Sequence, residues 1–309
     1  VGLKYYQEVS DKLRIKSAFQ HYVTASVVNE ILKDPEKLNL HGEERVLTVF
    51  FSDIEGFTSL SEGMPPMKVV ELLNEYLTEM TEIIFHYDGL LDKYEGDAIM
   101  AVFGAPLDQT DHAIRACRCA LDNQRSLGRL REKWRSLGRP EIKARIGINT
   151  GMVVVGNMGS RMRFDYTVIG DNVNLAARLE SANKLFSSEI LISGTTNDLV
   201  TPLLLTRRLA NLQVVGRKQI VPVFEVLTEL QDENPERLKK MQTRKARYEE
   251  ALELMMARKF APAAELLETY LEIRKEDDPP AKLLASRCRA FSLNPPPPDW
   301  DGNWIQELK

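Results

Sequence analysis

Cysteine is scarce: the chain of 309 residues has three, Cys117, Cys119 and Cys288. Three cannot form a disulfide framework, and the number fits a reducing compartment. Cys117 and Cys119 stand about 200° apart around a helix, a poor chelate. Histidine is nearly as rare, with four scattered copies and no His-x-x-x-His pair, which argues against zinc. No apolar run approaches the roughly 20 residues of a membrane span. Positive charge is not in excess: 41 basic against 45 acidic residues give a net charge of −4. That balance excludes general affinity for nucleic acid, and membrane contact by this stretch of chain. No signal-peptide pattern opens the sequence. A chain that begins at Val1 is expected to be a fragment.

What is present is an ordinary apolar content of 43%, enough for a real core and about two domains. Four segments are expected. Residues 1–42 form an amphipathic helical segment, with Leu13, Ile15, Phe19, Val23, Val27, Ile31 and Leu32 at three- and four-residue steps. Such a face needs a partner, a second copy or an upstream domain, and the segment fits a transmission element that carries a signal from an absent sensor into the rest of the chain. Residues 43–228 alternate strands and helices, with β-α-β-β-α-β order at the front. The expected class is α+β, ferredoxin-like. Within it "ARIGINTGMVVVGNMG" is expected to supply a strand and its return, and "EILIS" and "VPVFEVL" to finish the sheet. Residues 229–247 are charged and read as a linker or the start of a solvated helix. Residues 248–309 read as a small all-α segment of helical hairpins, tetratricopeptide-like, with a Pro/Trp tail. One and a half such units cannot bury their own face, so docking on the main domain or on a partner protein is expected.

The chemistry gathers at strand ends. The run "VLTVFFSD" stops on Asp53, and Asp97 lies in the turn "YEGDAIM". A buried carboxylate is costly without positive charge beside it. Either acid alone reads as a turn residue. Together at one sheet edge they suit a pair of Mg²⁺ or Mn²⁺ ions, since no histidine or thiol is near. The "IEGFT" that follows Asp53 offers free backbone N–H groups to phosphate oxygens.

The stretches "FFSDIEGFTSLSE", "DKYEGDAIMAVFGAP", "RIGINTG" and "YTVIGDNVNLAARLE", in this order, resemble the signatures of the class III nucleotide cyclases. The resemblance covers about residues 45 to 228. It implies adenylate cyclase activity of the bacterial type, converting ATP to 3′,5′-cyclic AMP and pyrophosphate with two divalent ions per site. It further implies metal binding by Asp53, Asp97 and the Ile54 carbonyl, and substrate binding by Arg145, Phe57 and Thr58 at the phosphates. Lys93 and Thr167 would read the base. Asn174 and Arg178, four residues apart on one helix face, would orient the ribose and stabilise the transition state.

Adenine offers an acceptor at N1 and a donor at its 6-amino group, which match Lys93 and the Thr167 hydroxyl. Guanine reverses that edge. The resemblance also implies a two-fold homodimer with two shared sites. One protomer would give Asp53, Asp97 and Arg145, and the other Lys93, Thr167, Asn174 and Arg178. The sequence departs from the family at Val215, where a triphosphate lysine is expected; Arg217 or Lys218 could stand in. A guanylate cyclase and an inactive nucleotide-binding module are the alternatives. The expected location is cytoplasmic, with the full-length protein anchored in the inner membrane through an absent N-terminal region.

Overall fold

The computed structural model describes residues 42–160, 162, 164–213, 220–274 and 277–306. Residues 1–41 of the amphipathic segment, and Val215, Arg217 and Lys218, lie outside the described residues.

The front half follows the expected order. Strand β1 (Gly42–Ile54) leads through short α1 (Phe57–Glu62) to long α2 (Pro66–His86), then β2 (Leu90–Glu95), β3 (Ala98–Phe103), α3 (His112–Ser136) and β4 (Ala144–Gly159). Their sheet order, β2-β3-β1-β4, with antiparallel neighbours, is the ferredoxin-like one. Strand β1 explains its own apolar run. Phe50 and Ile54 face a core built with α2 and α3, while Leu47 and Val49 face the opposite cluster. A strand covered on both faces reads as continuous apolar sequence rather than alternation.

The sequence expectation fails at β4. All of "ARIGINTGMVVVGNMG" is one strand, paired with β1 from Ile54↔Ala144 to Gly42↔Gly156. The return is the separate β5 (Phe164–Ile169). Gly151 looks like a turn signal but serves packing: a Cβ there would lie 2.5 Å from Asn172 Cγ. Then come α4 (Asp171–Phe186), β6 (Ile190–Ser193), α5 (Gly194–Val200), β7 (Leu204–Gln213) and β8 (Ile220–Glu229). The α1, α5 and β7 elements were not anticipated. Helix α4 sits directly on β4, because Gly147 has no side chain to hold it off: a Cβ there would lie 2.1 Å from Glu180 N and 2.4 Å from Ala176 O.

Helix α6 (Pro235–Met256) absorbs most of the charged stretch 229–247. Asn234 starts it, its side-chain oxygen accepting from the N–H groups of Glu236 and Arg237 at 3.1 Å each. Helices α7 (Phe260–Arg274) and α8 (Pro279–Leu293) follow, and β9 (Trp304–Ile305) adds to the edge of the sheet beside β7. These three helices share one apolar cluster with α4 and β7, including Leu179, Phe186, Leu209, Tyr248, Leu267 and Leu284. At the seam, the fully buried Arg207 donates to both oxygens of Asp278, at 2.8 and 3.1 Å, and to Glu225. Removing one member of such a pair typically costs about 3–5 kcal/mol, so the contact fixes how the helices sit. Among the described residues no helix is long and apolar enough to cross a membrane, and all three cysteines are buried and free.

Candidate active site

The β1–β3 register runs to Ser52↔Ile99, so Asp53, near the end of β1, and Asp97, in the turn between β2 and β3, lie at one end of the sheet. Asp97 stands beside the Asp53 carboxyl group and the Ile54 main chain. Burial first, and then the Asp53 charge, push the Asp97 pKa up to about 6. Two neighbouring acids fit a divalent cation, which neutralises the repulsion between them. The donors are hard oxygens, suited to Mg²⁺ or Mn²⁺. Among the described residues no cluster of three or more His, Cys, Asp or Glu forms a metal site. The cation seat therefore needs main-chain oxygen besides the two acids. Ile54 has its side chain buried in the core, and only its carbonyl is available for that.

Arg145 is the cross-strand partner of Asp53 on β4, with Nε 3.5 Å from Glu180 Oε1. It stands at the acidic end of the sheet, beside Asp53. Phe57 and Thr58 open α1; Phe57 packs against the core and Thr58 is exposed.

Lys93 on β2 and Thr167 on β5 meet, although 74 residues apart in sequence: Lys93 Nζ donates to Thr167 Oγ1 at 3.4 Å. A third residue, absent from the sequence reading, joins them. Thr167 Oγ1 donates to Asp92 Oδ2 at 2.5 Å, and Lys93 Nζ lies 3.3 Å from Asp92 Oδ1. Strict alternation would aim Asp92 and Lys93 at opposite faces. The β2–β3 register instead shifts between Leu91 and Lys93, and this bulge sends both side chains to Thr167. The available signal was an acid in mid-strand; the bulge itself leaves no mark in a single sequence.

Asn174 and Arg178 lie on α4, Asn174 exposed and Arg178 half-buried. The Arg178 carbonyl accepts from Gln306 Nε2 at 3.3 Å, so the C-terminal tail touches the helix that carries both. The structure brings Asp53 to Asp97 and Lys93 to Thr167. Among the described residues no hydrogen bond or ion pair joins the first set to the second.

The family model for the adenylate and guanylate cyclase catalytic domain matches residues 41–225. The chain belongs to this family. Adenylate cyclase 1 of Rhizobium meliloti (strain 1021) is 38% identical over 181 residues, 59% of this chain and 27% of its own length. The chain thus spans little more than a quarter of that relative. Two solved cyclase structures resemble it about equally. The adenylyl cyclase CyaB from P. aeruginosa is 39% identical with a TM-score of 0.59, covering 63% of this chain and 100% of its own. The guanylyl cyclase Cya2 is 38% identical with a TM-score of 0.58, covering 63% and 98%. Overall likeness to cyclases does not select the nucleotide, so the choice falls to the residues that face the base. The family match ends at residue 225, and helices α6 to α8 of this cyclase-family chain lie beyond it.

Proposed function

We propose that the chain is an adenylate cyclase that converts ATP to 3′,5′-cyclic AMP and pyrophosphate at two sites shared within a homodimer. The observation that carries this reading is the meeting of Lys93 with Thr167. A lysine ammonium only donates, which suits adenine N1 and opposes the N1–H of guanine. A buried donor facing a donor is left unpaired, at a cost of about 1–3 kcal/mol.

At the phosphate end, Asp53, Asp97 and the Ile54 carbonyl would hold two Mg²⁺ or Mn²⁺ ions. Such ions supply Lewis acidity, activating the ribose 3′-hydroxyl and neutralising the leaving pyrophosphate. Arg145 would exchange its Glu180 contact for the triphosphate, beside the Phe57 and Thr58 main chain. Asn174 would orient the ribose. Arg178 would meet charge growing at the α-phosphate.

Lys93 is only four residues from Asp97, whereas base and metal ions belong to opposite ends of ATP. A second copy of the chain, set head-to-tail, resolves this. The cross-strand pair Val46 and Met152 supports self-association: each is 51% exposed, apolar surface that a partner would cover. Residues 229–306 are a segment docked on the catalytic domain, and residues 1–42 a transmission element leading into β1.

The test is turnover of Mn·ATP and Mn·GTP by the purified protein, with the cyclic products separated. Cyclic AMP should dominate. Preference for GTP would overturn the adenine reading, and binding of both without turnover would favour the inactive module.

A further inference from the structure

The base-reading pair stands on a third group. The Asp92 side chain is 1% exposed, whereas that of Lys93 is 40% exposed. The Asp92 Oδ2 accepts from the Thr167 hydroxyl at 2.5 Å, and its Oδ1, which has no hydrogen-bond partner among the described residues, lies 3.3 Å from the Lys93 ammonium as an ion pair. Burial raises the Asp92 pKa, and the Thr167 hydroxyl and the Lys93 charge act against that rise by favouring the anion. The arrangement is made by the bulge at Asp92, which spends one residue of β2 to point an acid inward.

A threonine hydroxyl has one hydrogen and two lone pairs. Left alone it turns to suit its partner, donating to the O6 of guanine as readily as it accepts from the 6-amino group of adenine. Beside a carboxylate it has no such choice, because an ionised acid can only accept. A charge-assisted O–H···O⁻ bond of 2.5 Å holds the hydrogen on the Asp92 side. What remains toward the nucleotide is lone-pair density.

We propose that Asp92 is a positioning residue that determines specificity: by taking the hydrogen of Thr167 it makes that hydroxyl an acceptor only, which admits the adenine 6-amino group and rejects guanine O6. Lys93 and Thr167 then discriminate on two adjacent atoms of the purine rather than one. The inference rests on the adenylate cyclase reading and deepens it.

The isosteric change Asp92→Asn isolates the effect. The amide oxygen stays with the Lys93 ammonium, its strongest partner, and the NH₂ turns to Thr167. That group donates to the hydroxyl oxygen and frees its hydrogen. The measurement is equilibrium displacement of a fluorescent ATP analogue, with Mn²⁺ present, by the triphosphates of 3′-deoxyadenosine and 3′-deoxyguanosine. Neither competitor can cyclise, so turnover does not enter. The selectivity ratio for adenine over guanine should fall about tenfold in Asp92→Asn, with guanine binding no weaker than in the native protein. Asp92→Leu, which removes every acceptor, should lower the ratio likewise. In a Thr167→Ala background either change should leave the ratio where Thr167→Ala alone puts it. Equal weakening of both competitors, an unchanged ratio, or unfolding of both variants assigns Asp92 a structural role and overturns the proposal. A native protein that prefers the guanine competitor overturns the adenylate cyclase reading instead, whatever the variants do.

Discussion

Asp97 shows how a residue's surroundings state its purpose. An exposed aspartate loses its proton near pH 4. The pKa of Asp97, partly buried and beside the Asp53 charge, is raised to about 6. A cation at this end of the sheet must displace that proton. Mn²⁺ affinity should therefore be full above about pH 6 and fall as the pH drops below it, by up to about tenfold per unit. The metal-free protein follows the opposite direction. Between the ordinary aspartate value and about 6 the folded state binds the extra proton, so this group's contribution to stability declines as the pH rises through that window. Titrating Mn²⁺ by electron paramagnetic resonance from pH 7 to pH 5 checks the first statement. An affinity flat over that range would mean the two acids do not hold the ion together. The sequence made Asp53, Asp97, Lys93 and Thr167 legible because each sits inside a dense motif. The contact of Asp92 with Thr167 was not legible, because it comes from a bulge, a feature of strand pairing rather than of residue type.

Elements carry the next layer of control, and α4 is the decisive one. It bears Asn174 and Arg178, and its distance from the sheet is set by Gly147. The atoms that a Cβ would meet, Glu180 N at 2.1 Å and Ala176 O at 2.4 Å, are backbone and cannot swing aside. Gly147→Ala should push the whole helix outward. The expected outcome is a loss of about 1–3 kcal/mol in urea denaturation, with kcat reduced at least tenfold. Native stability and turnover would show that the helix has room the geometry denies it. This level was only partly legible in sequence. The long helices announced themselves through apolar periodicity, as in Val70, Leu73, Leu77, Met80 and Ile84, although the face that is buried centres on Leu72, Tyr76, Met80 and Ile84 and Val70 is exposed. Strand β7 did not, because "LLTRRLANLQ" carries Arg207 at a core position. Its buried partner, Asp278, lies 71 residues away on another element. An arginine reads as surface until that partner is known. Likewise "NTG" in β4 reads as a turn until Asn172 is seen to need the space beside Gly151.

At the scale of the whole molecule the question is how many chains make one site. The structure places Asp53, Asp97 and Arg145, the proposed metal end, at the end of β1, in the β2–β3 turn and on β4, and brings Lys93 and Thr167, the proposed base end, together from β2 and β5, with α4 carrying Asn174 and Arg178. If one chain made a complete site, a lesion at either end would disable that chain for good. A head-to-tail dimer behaves differently, because each site takes one set from each protomer. Asp53→Ala and Arg178→Ala should each abolish turnover alone. Mixed in equal amounts and allowed to exchange, half of the dimers pair the two variants. In each of these, one site collects both lesions and the other collects none. About a quarter of the native activity should then return. The control is a mixture of Arg178→Ala with Asn174→Ala. Both lesions belong to one set, so every site keeps a defect and no activity returns. Recovery in the first mixture and silence in the second divides the residues into the two sets. Silence in both, with subunit exchange verified by labelled protomers, would place Asp53 and Arg178 in one chain's own site and overturn the shared-site reading. The buried Arg207–Asp278 contact gives this experiment its footing, because it holds α6 to α8 on their own catalytic domain while the two protomers separate and re-pair.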